Sequence, residues 1–585
     1  MKNWYLIYKK ENFYKINNCE LLTPIQKIIL ANRNITKQSE IDMIAEHNIK
    51  KMYSPFLLKD MDKAVEIIFD SMMNGERIRI VGDYDQDGIA ATTILHKGLS
   101  NFYEDVSYAI PNRVEEGYGL NNSIVQKCLD ENISLIITCD NGIAAFDAID
   151  FAINNGIKVI ITDHHEVIKE NGKDILPKAN AILNPWRSDD NSTFKKICGA
   201  LVAYKLVEAM HDKYGADLGI DKKNIYSLLQ YAALGTVVDM MELVDENRLV
   251  VVEGLKYLNK TNNPGLKALL YELNWNKEID VYTIGFVIGP IINASGRIYT
   301  AKLGVELFLE EDEEIVIEYA RELISINQKR KEMTLDSVEF AIQKILDEKL
   351  FLNDIIILYN EDIHESICGL VAGRIKDRFN KPTIVFTDAS NGTDGLVKGS
   401  GRSIDAYDMH KKLSEFSYLY TAFGGHKKAC GLSMEKKKLN ELILGLNSNS
   451  GLKEDDFVKS IEFDYALNFK YINLKIIDEI SKLEPFGYGF KKPMFATKNV
   501  LIKNISLIGK NKNVLRYVFQ EGEHVLQGIS FNIEEEMEIY KAKFNIEDME
   551  EIEKLIGQKI DIVYKLSVNN YNDLKNIQLE IEAVR

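Results

Sequence analysis

The stretch Arg77-Ile78-Arg79-Ile80-Val81-Gly82-Asp83-Tyr84-Asp85-Gln86-Asp87-Gly88, RIRIVGDYDQDG, decides how this chain is read. Its first half is an apolar, β-branched run of the kind that forms a buried strand. Its second half sets three acids two residues apart. If extension continues past Gly82, Asp83, Asp85 and Asp87 point the same way and their carboxylates converge. Such a cluster repels itself and raises its own pKa values, and divalent cations would resolve the repulsion.

The pattern repeats outward from this stretch. An amphipathic segment, KAVEIIFDSMMNG, precedes it. Three more apolar runs follow, VSYAI, ISLIITC and IKVIIT, separated by helical periods. That alternation predicts a parallel sheet with helices on its faces, in which ligands bind at the carboxyl ends of the strands. Two of those ends carry more chemistry, in Cys139-Asp140-Asn141-Gly142 and Thr162-Asp163-His164-His165, and a further acid, Asp239, sits in ALGTVVDMM. One Asp at a strand end is usually a helix cap, and Gly88 and Gly142 could be ordinary turn glycines. Four clusters, three of them at strand ends, are hard to explain as caps. Carboxylates with imidazole suit Mn²⁺ or Mg²⁺, and histidine tilts the choice toward Mn²⁺. An EF-hand reading of DYDQDG fails, because the twelfth position from Asp83 is Ile94 and no Glu closes the loop.

Composition bounds the rest. The chain has 585 residues, 46% apolar and 27% charged, which predicts several soluble domains. Six scattered cysteines (Cys19, Cys128, Cys139, Cys198, Cys368, Cys430) form no CxxC pair, which suits a reducing cytosol and argues against a zinc knuckle. The N-terminus lacks a signal-peptide core and no apolar run approaches membrane-spanning length, so a cytoplasmic location is expected. Net charge is −16, which at first sight disfavours nucleic acid. A local positive groove can still bind a polyanion, because the field in a cleft depends on arrangement and not on the sum.

The expected organisation is a lead-in over residues 1–55, a catalytic domain over 56–312, a connecting helix over 313–350, a second α/β unit over 351–450, and a β-barrel over 458–585. The stretch from Glu313 to Leu350 has no Gly or Pro and keeps a helical period. The short runs after residue 458 fit a small barrel with one inserted helix, with an OB-fold as the leading expectation.

At this point the chain resembles a known family. DYDQDG, CDNG, TDHH and GTVVD match, in order, the four motifs of the DHH phosphoesterases, and KGSGRS followed by FGGHKKACG looks like the DHHA1 domain that accompanies them. INASGRI, SICGLVAGRI, PNRVEEGYG and the OB-like tail are similar to the RecJ branch of that superfamily. The resemblance implies two metals. Asp83, Asp85 and Asp140 would hold one, and Asp87, Asp140, His164 and Asp239 the other. Asp163 would orient the histidines and His165 would touch the phosphate. Arg297, Gly424, Gly425 and His426 would contact the strand, and Arg113, Ser400 and Arg402 would cradle a 5′-terminal phosphate. The implied activity is 5′→3′ exonuclease action on single-stranded DNA, in repair and recombination, with a RecQ-type helicase and a single-strand-binding protein as partners. Tyr471, Phe486, Tyr488, Phe490, Lys491 and Lys492 are candidates for tracking the strand on the barrel, with barrel core as the plain alternative for the aromatics. Two other readings remain: a DHH enzyme for oligoribonucleotides, cyclic dinucleotides or pyrophosphate, and a replication factor that has lost catalysis. The second would have shed ligands, and every expected acid and histidine is present.

Overall fold

The computed structural model describes residues 2–111, 119–389, 395–509, 512–571 and 574–585. It divides into two compact units, one of residues 48–453 and one that joins residues 1–47 to 454–585.

In the larger unit the first sheet is all parallel. Its strands are Ile78–Gly82, Val106–Ala109, Leu135–Cys139, Lys158–Thr162 and Ala181–Leu183. The Val106 strand lies at one edge beside the Ile78 strand, and the other three follow in sequence order. The order in which strands are added therefore reverses between the Ile78 and Leu135 strands. That switch point opens a crevice at the carboxyl ends. The central strands are buried on both faces, and their side chains alternate between two cores. Ile78, Ile80, Leu135 and Ile137 face one layer of helices. Val81, Ile136, Val159 and Ile161 face the other. The register pairs Gly82 with Cys139 and Cys139 with Thr162. Asp83, Asp140 and Asp163 thus leave the sheet side by side.

A run of helices follows, ending in Glu313–Asp347, a single helix of 35 residues that Asp312 caps at its N-terminus. The second sheet is mixed and holds the strands Ile356–Tyr359, Thr383–Asp388, Leu396–Arg402, Tyr420–His426 and Ala429–Glu435. The Tyr420 strand is its exposed edge, next to the Ala429 strand and then the Leu396 strand.

In the smaller unit, strands Phe495–Ile508, Val514–Glu521, His524–Ser530, Leu574–Val584 and Lys559–Tyr571 pair in that spatial order, and the last closes back on the first. The result is a five-stranded barrel with the helix Ile533–Phe544 inserted. The N-terminal residues are not a separate lead-in. Asn3–Leu6 pairs in parallel with Ser460–Phe463, and Arg33 forms an ion pair with Asp464 at 2.7 Å, with both side chains nearly buried. Among the barrel candidates, Tyr471 and Tyr488 are exposed, while Phe490 is fully buried beneath Arg33 and stacks on Phe486.

Candidate metal centre

The strand ends at Gly82 and the chain turns at once into the helix Gln86–Ser100. Extension does not continue through the acidic triplet, so alternation is not what gathers it. Asp85 caps the helix instead, its Oδ1 accepting from Asp87 N at 2.9 Å and Gly88 N at 3.2 Å. The turn splits the three acids. Ligand atoms of Asp83, Asp85 and Asp140 lie within 4.8 Å of one another, and so do those of Asp87, His164 and Asp239. Asp85 is both a cap and a member of the cluster, so the two readings of a strand-end Asp do not exclude each other.

Each of the other ligands is held by its own element. Asp140 takes a left-handed conformation, φ 60°, which Asp tolerates, and its N–H donates to Thr162 O at 2.9 Å. Asp239 ends the helix Leu229–Val238. His164 Nε2 sits 3.1 Å from Asp140 Oδ1 and 3.7 Å from both Asp87 Oδ2 and Asp239 Oδ2. Asp163 is buried and works as a bracket. Its Oδ1 accepts from His164 N at 2.7 Å and His165 N at 3.1 Å, and lies 2.8 Å from His165 Nδ1. Its Oδ2 accepts from Ile143 N at 2.9 Å.

Further supports surround the cluster, and two of them, Gly199 and Ala200, were not singled out in the sequence. The helix Gly199–Met210 points its N-terminus at Asp87. Gly199 N donates to Oδ2 at 2.6 Å and Ala200 N to Oδ1 at 3.0 Å, so a helix end offsets part of a buried charge. A Cβ on Gly199 would lie 2.6 Å from Asp140 Oδ1, which only glycine avoids. Asn141 ties the crevice together by donating to Val81 O and Cys139 O and accepting from Leu120 N. The INASGRI segment lies in the helix Gly289–Ile298 and braces the acidic turn: Asn293 Oδ1 accepts from Gln86 N at 2.8 Å, and Gly296 packs against Tyr84 O.

The electrostatics are those of a site built for cations. Burial pushes the Asp140 carboxyl well above its usual range, helped by Asp87, Asp85, Asp83 and Asp239. Burial, then Asp87 and Asp85, push Asp239 up to about 8. Burial also raises Asp87, against the pull of His164, and holds His164 below its usual value. Asp163 goes the other way: burial opposes its charge, but the His165 hydrogen bond and charge, the Ile143 amide and His164 together outweigh it and keep the carboxyl low. For His165, burial is likewise overcome by Asp163, and the imidazole is pushed up to about 9. The residues present fit divalent metal. Asp239 Oδ2 is buried with no hydrogen-bond donor, and the donor set is carboxylate oxygen plus imidazole nitrogen.

The remaining site candidates lie in the second α/β lobe and at its border. Arg297 Nη1 donates to Ser366 O at 3.0 Å, just ahead of the helix Cys368–Phe379. Arg402 Nη1 donates to Gly401 O at 2.8 Å and to Ser400 Oγ at 3.3 Å. Gly369 of that helix closes over this pair, since a Cβ there would lie 2.6 Å from Arg402 Nη2 and 2.8 Å from Ser400 Oγ. The antiparallel register sets Ser400 level with Gly431 and Gly424, and Arg402 level with Ala429 and His426. Ser400, Arg402, Gly424 and His426 therefore share one face of the sheet, two strands or roughly 10 Å apart. Gly424, Gly425 and His426 are exposed on the edge strand. Arg113 lies outside the described residues.

A parallel sheet with an acid–imidazole cluster at its switch point, followed by a second α/β lobe and a barrel, defines the DHH class of proteins. Family models match in the same order: the DHH family N-terminal domain over residues 77–236, the DHHA1 domain over 352–448 and the RecJ OB domain over 463–583. The single-stranded-DNA-specific exonuclease RecJ of Salmonella typhimurium is 31% identical, over 96% of both chains. A structure of exonuclease RecJ bound to manganese is 28% identical, with a TM-score of 0.57 over 68% of this chain and 96% of its own. The Thermus thermophilus RecJ structure with Mn²⁺ shares the fold, with a TM-score of 0.80 at 22% identity over 100% of this chain and 79% of its own. The chain belongs to the RecJ family.

Proposed function

We propose that this protein is a single-stranded-DNA exonuclease that takes strands from a 5′ end and releases 5′-mononucleotides by metal-dependent hydrolysis, as its relatives' names indicate for single-stranded DNA. The observation that carries the reading is a continuous line of contacts. It runs from the acidic cluster through Asn293 and Arg297 to Ser366, and on to the helix that covers Ser400 and Arg402.

Asp83, Asp85 and Asp140 would hold one divalent cation, Mn²⁺ or Mg²⁺, and Asp87, Asp140, His164 and Asp239 a second, with Asp140 shared. When bound, such ions lower the pKa of a water and stabilise the attacking and leaving oxygens of an in-line displacement. The chain's own groups do the rest. Asp163 fixes the His165 ring through Nδ1, so Nε2 is left to donate to a phosphate oxygen, and the Asp163 carboxylate favours the protonated imidazole. Gly424 and Gly425 let a backbone approach closely, and His426 adds a donor. Arg297 holds the two lobes in register. Ser400 and Arg402, with Arg113, take the terminal phosphate and block further passage. Water adds to the next phosphorus, O3′ leaves with a proton, and the shortened strand again carries a 5′-phosphate for the same pocket.

Family membership also supports a RecQ-type helicase and a single-strand-binding protein as partners, and a cytoplasmic location. No helix among the described residues is long and apolar enough to cross a membrane. The alternative of a DHH phosphodiesterase for oligoribonucleotides or cyclic dinucleotides is separated by end chemistry. Arg402→Ala should slow degradation of 5′-phosphorylated strands more than of 5′-hydroxyl strands, by about 1–3 kcal/mol for a lost charge-assisted hydrogen bond. Equal loss on both substrates overturns the pocket assignment.

A further inference from the structure

Acids outnumber bases in this chain by 88 to 72, and several cations, such as Lys213, Arg321 and Lys398, find a carboxylate. Three arginines of the second lobe and its connecting helix do not. Among the described residues, Arg330, Arg374 and Arg402 have no carboxylate within ion-pair distance. Arg330 lies on the long helix Glu313–Asp347, which packs against the helix Cys368–Phe379 that carries Arg374. The Arg330 guanidinium is aimed by a buried side chain: its Nε and Nη2 donate to Asn327 Oδ1 at 3.2 and 2.9 Å. Asn327 is neutral, so the fork is oriented without being neutralised. Arg374 follows Gly373, and the Arg402 Cγ lies 3.9 Å from where a Cβ on Gly373 would stand, an ordinary packing distance. Arg402 thus packs against the Cys368 helix at Gly369 and Gly373, and Arg330 of the long helix lies beside Arg374.

Two cations, Arg330 and Arg374, side by side without a carboxylate offer a place for an anion. Burial, with Arg374 beside it, holds Arg330 below its usual pKa, so the gathering has a cost in the protein alone. Arg402 is likewise lowered by burial. A planar fork already oriented by Asn327 suits bidentate phosphate recognition.

We propose that Arg330 and Arg374 form a second phosphate subsite, continuous with the pocket at Ser400 and Arg402, that grips the backbone of a nucleic-acid strand away from its bound end. This inference rests on the exonuclease reading above. It makes strand length, and not only end chemistry, a determinant of affinity.

The test compares wild type, Arg330→Gln, Arg374→Gln and the double variant, each with Mn²⁺, on two probes. One is a 5′-phosphorylated thymidine dinucleotide and the other a 5′-phosphorylated oligothymidylate of about a dozen nucleotides. On the long strand each substitution should raise KM about tenfold with kcat retained, as expected for a lost charge-assisted contact. The slope of log affinity against log salt should flatten by about 0.7 for each phosphate released. Kinetics on the dinucleotide should not change. Unaltered KM and salt slope on the long strand would overturn the subsite. Equal losses on both probes would also overturn it, because the arginines would then serve the fold or the metal centre. If wild type cleaves the dinucleotide and ignores the strand, the exonuclease reading itself fails and takes the subsite with it.

Discussion

Replacing Asp239 by Asn should make the metal-free protein more stable at alkaline pH while weakening its response to metal. In the folded chain burial and the neighbouring Asp87 and Asp85 push the Asp239 carboxyl up to about 8. In the unfolded chain it titrates near its ordinary value of about 3.9. Between about pH 4 and about pH 8 the folded form therefore binds more protons than the unfolded one, so stability falls as pH rises through that window. Four units at about 1.4 kcal/mol each set a ceiling of about 5–6 kcal/mol. The repulsion is shared with Asp83, Asp85, Asp87 and Asp140, so one substitution should recover on the order of 2–3 kcal/mol. The assay is urea unfolding of the larger unit at pH 5 and pH 8, with EDTA or with saturating Mn²⁺. Wild type in EDTA should be less stable at pH 8 than at pH 5, Asp239→Asn should show a smaller loss, and Mn²⁺ should rescue wild type more than the variant. If metal-free wild type is as stable at pH 8 as at pH 5, the account of a self-repelling cluster is wrong.

Other substitutions separate the parts of the site. Asp140→Ala should cut turnover by several orders of magnitude with an unchanged circular dichroism spectrum; near-normal turnover at saturating metal would rule out a shared ligand. Gly199→Ala places a Cβ 2.6 Å from Asp140 Oδ1, so Mn²⁺ affinity measured by calorimetry should drop by about tenfold or more, a loss of order 1–3 kcal/mol. Asp163→Asn removes the partner that holds His165 at about 9, so its imidazole resonances should titrate nearer the ordinary 6.5, and activity should decline as pH rises above that value. Binding to single strands should fall steeply from about 50 to 200 mM salt despite the −16 net charge, and a flat response would favour a small substrate.

Much of the site was legible because it sits on strand ends. Apolar β-branched runs predict buried parallel strands, and the acids that follow Gly82, Cys139 and Thr162 stand together because the register aligns those residues. The mechanism of convergence was not legible. Alternation predicts three parallel carboxylates, whereas the Asp85 cap starts a helix and sends Asp87 to a different group from Asp83 and Asp85. The amides of Gly199 and Ala200 left no signal, since backbone donors are contributed by position and not by residue type. The pairing of Asn3–Leu6 with Ser460–Phe463 and the Arg33–Asp464 ion pair show that the first residues complete the barrel unit, and contacts more than 400 residues apart have no local pattern. Phe490 shows the same limit on a smaller scale: aromatics near a barrel mouth look alike in sequence whether they stack on a base or, as here, under Arg33.

Strand degradation from a 5′ end at the acidic cluster is open to a simple digest. Single-stranded DNA labelled at either the 5′ or the 3′ end is incubated with the protein and Mn²⁺, and products are resolved over time. The 5′ label should appear at once as mononucleotide while the 3′ label persists in a shortening ladder, and Asp140→Ala should leave both strands intact. Release of the 3′ label first, or internal fragments from either strand, would contradict it.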